Sequence, residues 1–232
     1  MKNRSILRTT FLLSTFLLSF FSFSCKKHTP APAPTLTVTD ADGNVYQTIT
    51  IGTQTWTTEN LKTTKYNDGT TIPYVADKPG WANLATPAYT FYAFDASNKA
   101  TYGALYNWHT IKTGKLAPAG WHVSTDADWQ TLLAYLGGSS TAGDKLKEAG
   151  NTHWSQPATN ATNESGFTAL PGGLIDAFGN FANINFSALF WTSTESDASN
   201  SIAYGLSAGG QAVTLSSLSP KSRGFSIRLV KD

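Results

Sequence analysis

From Thr35 onward, apolar and polar residues alternate in short runs. In "VTDADGNVYQTITIGTQTWTTENL", Val45, Ile49 and Ile51 fall at even spacing with Thr-rich positions between them, the period of a half-buried strand. "DADGN" just before it has turn composition, and "NDG" at Asn67–Gly69 is a second hairpin-type turn. "AYTFYAF", residues 88–94, is aromatic and strand-like. "SIAYGLS" sets Ile202, Tyr204 and Leu206 on one face, and "GFSIRLV" does the same with Phe225, Ile227 and Leu229. A closing strand this apolar belongs inside a sheet. Two segments change period. Trp129, Leu132, Leu133 and Leu136 follow i, i+3, i+4, i+7 and predict a helix. Thr125 can cap it, with Asp128 three residues on; Asp126 and Asp128 favour its positive end, and Gly137 supplies a left-handed stop. A second helix, about Ala142–Ala149, repeats this logic with Thr141, Asp144 and Gly150. "GWHVS" ahead of the first helix reads as a short strand with Trp121 and Val123 on one face and His122 on the other. Both aspartates of this stretch therefore have structural work to do.

The first residues follow another logic. Lys2, Arg4 and Arg8 precede an uncharged run of Phe, Leu, Ser and Thr from Phe11 to Phe23, too short to span a bilayer comfortably. The run ends "FSFSC". A small residue before the lone Cys25 is the arrangement of a bacterial lipoprotein signal, in which the cysteine becomes the acylated N-terminus. An odd cysteine in an exported chain otherwise lacks a partner. "KKHTPAPAPT" favours extended polyproline II and makes a spacer. The expected organisation is a signal peptide over 1–24, a tether over 25–35, and one domain over 36–232. The expected location is the cell envelope, on the outer membrane, held by lipid on Cys25 with either face open.

Composition narrows the chemistry. At 41% hydrophobic and 12% aromatic the chain can build a core, and at 14% charged it suits a β-rich or loop-rich fold. The net charge of +2 comes from the leader: without 1–24, basic residues number 14 against 15 acidic. That balance gives no footprint for nucleic acid. The body has no cysteine, which excludes thiolate zinc sites and cysteine nucleophiles there. His109, His122 and His153 each neighbour a tryptophan and show no i, i+4 metal spacing, so they read as imidazoles at the edge of an aromatic core.

The segments "VTDADGNVYQTITIGTQTWTTENLKTTKYNDGTTIP", "YGALYNW", "PAGWHVSTDADWQTLLAYLGG", "KLKEAGNTHW", "NESGFTALPGG", "FWTSTES" and "SRGFSIRLVKD", in that order, resemble the Fibrobacter succinogenes major paralogous domain of secreted proteins and lipoproteins. The resemblance covers nearly everything from Val38 to Asp232. Leu229 departs from it, standing where many relatives carry cysteine. The resemblance implies an α+β, C-type lectin-like fold: two short helices packed on a small mixed or antiparallel sheet, with a long loop-rich region. The formylglycine-generating branch of that fold is also similar, but its oxidase chemistry needs cysteines that this body lacks.

Those implications point to a binding or adhesion module for glycan or envelope-protein ligands, without catalysis. The alternatives are a structural envelope lipoprotein and a glycan hydrolase, for which Glu164 and Glu195 would be the carboxylate pair. "TNATNESGF" and "FWTSTESDASNS" are dense in hard oxygen ligands. The expected site is a shallow polar one that includes Asn163, Glu164, Glu195 and Asp197. Trp81, in the polar loop "DKPGWANL", would be its stacking wall, and calcium is a candidate ion there, with Asn160 and Asn200 as further oxygen donors. "NESG" also reads as a turn whose side chains cap backbone groups. Trp121, Trp129 and Trp191 are expected in the core.

Overall fold

The computed structural model describes residues 36–155 and 160–232. The leader, Cys25 and the tether lie outside the described residues. Among the described residues thirteen strands run in chain order: β1 (Thr37–Thr39), β2 (Val45–Ile51), β3 (Gln54–Thr57), β4 (Tyr89–Thr90), β5 (Leu105–Asn107), β6 (Trp121–Val123), β7 (Gly172–Ile175), β8 (Phe181–Ile184), β9 (Ser187–Glu195), β10 (Asn200–Ser207), β11 (Val213–Pro220), β12 (Gly224–Phe225) and β13 (Leu229–Lys231). The helices are short: α1 (Lys78–Trp81), α2 (Lys99–Tyr102), α3 (Trp108–Lys112), α4 (Asp126–Tyr135) and α5 (Ala142–Leu146). One sheet has five strands in the order β1-β2-β3-β13-β6; the other has eight residue runs in all, β11-β10-β9-β7-β12-β5-β4 with β8 beside β7. The class is α+β, and sheet dominates it.

Most central strands bury both faces, which explains where the alternation misleads. In β2, Val45 is exposed while Tyr46 and Thr48 are buried, and Ile51 is buried on the opposite side. Tyr46 joins a core with Trp108, Trp191, Phe225, Ile227 and Leu229; Ile51 joins another with Trp56, Trp129, Phe167 and Phe190. The strand is therefore not one-sided, and no single phase describes it. The even-spaced reading holds for β10, where Ile202, Tyr204 and Leu206 share the second of these cores.

The helix α4 forms as its local signals dictate. The Thr125 hydroxyl accepts from the Asp128 amide at 3.1 Å and the Asp128 carboxylate accepts from the Thr125 amide at 2.8 Å, closing a capping box. Gly137 takes φ 95° just past the end. Trp129 stacks on Tyr204 at 4.8 Å and meets Trp56, Phe167 and Phe190. The second helix is shorter than expected. It stops at Leu146, because Lys147 turns extended (ψ 147°) and bridges to Ala169. The Lys147 ammonium is buried and meets Asp144 at 2.9 Å and the Gly210 carbonyl at 2.9 Å. Thr141 makes no capping bond to this helix. The other helices are single turns, too short to carry an apolar stripe; α1 and α3 start on Asp77 and Asn107 side-chain caps. Residues 88–94 are strand only at Tyr89–Thr90. Ala93 and Phe94 turn to positive φ so that Tyr92 and Phe94 pack on Phe181.

Two hairpins use the same five-residue chemistry, D-A-x-G-N. In Asp40–Asn44 and in Asp176–Asn180 the aspartate accepts from the amides two and four residues on and from the asparagine side chain, while the glycine amide returns to the aspartate carbonyl. Gly43 and Gly179 sit at φ 82° and 81°, the left-handed position that closes such a turn.

The closing segment crosses between the sheets: β12 lies between β7 and β5, and β13 between β3 and β6. Arg228 sits in the step between them, fully buried. Its guanidinium donates to Asn60 Oδ1, the Thr57 and Phe167 carbonyls (2.8 Å each) and the Thr168 carbonyl (2.9 Å), and lies 4.4 Å from the Phe167 ring centroid. Burial lowers its pKa to about 9, so it remains a cation at neutral pH.

Candidate functional site

The residues expected to form one polar site separate into two groups with no partner in common. Asn163, at φ 51°, holds its own turn: its Oδ1 accepts from the Thr168 amide and its Nδ2 donates to the Thr168 hydroxyl, both at 2.9 Å. Glu164 beside it is exposed and lies 3.7 Å from Lys145 of α5. Glu195 instead ends β9 between Lys112 (3.3 Å) and the buried Lys221, whose hydrogen bond first and burial second set its pKa, with the net effect downward. Asp197 accepts from the Asn200 side chain and from the amides of Ser199 and Asn200, which hold its carboxyl below the usual range. Each carboxylate is thus committed to a lysine or to its own turn. Among the described residues, no group of three or more His, Asp or Glu is arranged to hold a metal ion.

Trp81 and Trp121 have exchanged the places expected of them. Trp81 is fully buried, in a small core with Ala88, Leu105 and Ile175. It fits because residue 224 is glycine: a Cβ there would come within 2.9 Å of the indole. It offers no wall to a ligand. Trp121, expected in the core, is only partly buried. It begins β6, the edge strand of the five-stranded sheet, directly after the turn at Pro118–Gly120.

Beside it lies a cleft of about 350 Å³, within the range of small-ligand pockets. Ile111, Leu116 and Pro118 give it an apolar side; Asn67, Ser193, His122 and Asp232 give it polar groups. Asn67 comes from the Asn67–Gly69 turn, and its Nδ2 donates to the Ala117 carbonyl at 3.0 Å, fixing which way the amide points. Ser193 Oγ donates to the Val123 carbonyl at 3.1 Å and keeps its lone pairs for an incoming donor. The cleft thus combines an aromatic ring with hydrogen-bonding groups from four separate segments.

His122 is the most constrained of these groups. Its Nε2 lies 3.0 Å from Asp128 Oδ2 and its Nδ1 2.7 Å from Asp232 Oδ1. The bond to Asp128 raises its pKa, burial opposes, and Asp232 adds to the rise. Burial pushes Asp128 up, but His122 and the Thr125 hydroxyl and amide outweigh it and hold the carboxyl at about 2. Gln54 Nε2 donates to the other Asp128 oxygen at 2.9 Å. Asp128 therefore does more than start a helix: it anchors a polar chain running to the cleft wall. His153 has a simpler role, between Glu148 (2.9 Å) and the edge of Tyr102.

No motif in the sequence announces this cleft, because its members are brought together by the sheet. The available signal was Trp121 itself, a tryptophan following a Pro-Ala-Gly turn. The family model described as Fibrobacter succinogenes major domain matches residues 49–231. Neither the curated proteins nor the solved structures yield a match.

Proposed function

The chain belongs to the Fibrobacter succinogenes major domain family, and on that premise we propose that it is a lipid-anchored binding module of the cell envelope whose ligand seat is the cleft beside Trp121. The observation that carries this reading is the pairing of a partly exposed indole with Asn67, Ser193 and Asp232 around one concavity. An aromatic face with hydrogen-bonding groups at its rim suits a saccharide, whose ring has an apolar face and an equatorial belt of hydroxyls. The lectin-like arrangement implied by the sequence resemblance agrees with such a ligand. A non-catalytic role is favoured over hydrolysis because Glu164 and Glu195 are paired with different lysines on different elements. Binding of a single sugar should be weak, about millimolar or about −4 kcal/mol, since few groups touch the ligand.

The test is calorimetry and tryptophan fluorescence with a panel of oligosaccharides, comparing the parent chain with Trp121→Ala. The expected result is saturable binding that Trp121→Ala abolishes while the variant, though less stable because Trp121 also packs on the core, stays folded at the assay temperature. Unchanged binding in Trp121→Ala would move the seat elsewhere. Absence of any saccharide response would favour a structural envelope role.

A further inference from the structure

We propose that His122 is a proton-operated clasp on the cleft wall: as an imidazolium it ties Asp232 to the cap of α4, and on losing its proton it releases the Asp232 carboxylate into the cleft. The proposal rests on the reading of the cleft as the ligand seat. Its starting point is stoichiometric. A neutral imidazole carries one N–H, yet both ring nitrogens of His122 face carboxylate oxygens, at 2.7 and 3.0 Å. The two bonds coexist only in the doubly protonated ring. Removing a proton sets a nitrogen lone pair against a carboxylate oxygen, and one contact must open.

The structure determines which one. Asp128 also accepts from the Thr125 amide and hydroxyl and from Gln54, and its side chain is 17% exposed. Asp232 is 58% exposed, and His122 is its side chain's one hydrogen-bond partner among the described residues. The remaining proton therefore stays on Nε2, facing Asp128, and the Asp232 side chain swings free. Its backbone stays in place, because the Asp232 amide donates to the Gly120 carbonyl at 3.0 Å. The charged groups that bear on the ring are Asp128 from α4 and Asp232 beyond β13. Both stabilise the imidazolium, so the clasp is closed under conditions where free histidine has already lost its proton. Opening it removes the positive charge from the wall and leaves both carboxylates. Ligands bearing a cation or several hydroxyl donors gain from the open state, and anionic ligands lose.

The test is a pH series of imidazole nitrogen and Asp232 carboxyl NMR shifts on the folded full chain, for the parent, Asp232→Asn and Asp128→Asn. The expected result is a His122 with both nitrogens protonated at a pH where free histidine is neutral. Its midpoint falls in each variant, and the parent Asp232 carboxyl shift moves at the His122 midpoint. A His122 that titrates at or below the free value, or that remains a single neutral tautomer, overturns the clasp; so does an unchanged midpoint in Asp232→Asn. Asp232 is exposed, so that variant tests the contact without unfolding the domain. Saccharide binding measured in parallel separates the two readings: normal His122 behaviour with no ligand at any pH removes the ligand seat and the functional part of the clasp, leaving the proton chemistry.

Discussion

Replacing Arg228 tests the crossing between the sheets most directly. Arg228→Met keeps much of the side-chain volume and removes every donor. It strands four acceptors: Asn60 Oδ1 and the carbonyls of Thr57, Phe167 and Thr168. At about 1–3 kcal/mol for each buried acceptor, the loss is about 8 kcal/mol at mid-range. Against it stands the cost of burying a cation with no carboxylate in contact. The fall in its pKa from 12.5 to about 9 corresponds to about 5 kcal/mol. The difference predicts that Arg228→Met destabilises by about 3 kcal/mol, a large share of a domain stability of about 5–15 kcal/mol. Arg228→Ala should cost about 2 kcal/mol more, because a cavity opens against Phe167 and Phe190. Arg228→Lys keeps the charge but cannot present a planar fork to acceptors on two stretches of chain, 57–60 and 167–168, so it should not restore parental stability. Urea unfolding followed by tryptophan fluorescence reads all three, since Trp56 and Trp129 lie against Phe167. An Arg228→Met protein within about 1 kcal/mol of the parent, at equal m-value, would refute the reasoning, since the guanidinium bonds would then do no more than offset the burial of their own charge.

Asp128→Asn should cost about 1–3 kcal/mol at pH 7, more than a helix cap alone, because the carboxylate serves Thr125, His122 and Gln54 together. Its folded pKa, about 2, lies below the ordinary aspartate value of 3.8, so this stability is present above about pH 4 and lost as pH falls through about 2; urea midpoints across that window should show the deficit shrinking. If Cys25 is the lipid attachment point, Cys25→Ser should move the protein from the membrane to the soluble fraction or leave the precursor uncleaved, and an unmodified Cys25 in the mass spectrum of the mature parent would exclude the anchor.

What could be read from the sequence was what local physics decides. The capping box of α4, its apolar stripe and its glycine stop lie within thirteen residues, and each formed as expected. The turns at Asp40 and Asp68 were legible because a short acceptor beside a glycine closes a turn by itself. Most departures from the sequence reading are decided by contacts distant along the chain. Val45 lies outside and Tyr46 inside because the two ends of β2 bury opposite faces. Trp81 went inside because Gly224, far along the chain, leaves room for it, and Trp121 stayed partly outside because β6 is an edge. α5 lost its last turn to a bridge with Ala169. The polar loops looked like a site because their composition fits one equally well as it fits self-capping turns; only the hydrogen bonds separate the two. Arg228 gave no warning, since a lone arginine in an apolar strand carries no pattern of its own.

The segment from Gly224 to Lys231 supplies an inner strand to each sheet and follows the other described strands in chain order. Neither sheet can close before it arrives: β3 and β6 lack their neighbour without β13, and β5 and β7 lack theirs without β12. Contacts between such distant parts of a chain form slowly, because the intervening loop must lose its entropy first. Both sheets therefore stay open until Gly224–Lys231 has been made. If the proposed leader directs the chain through a membrane before it folds, this late closure is an advantage: the order of the strands holds the chain in a transportable state until Gly224–Lys231 has been delivered.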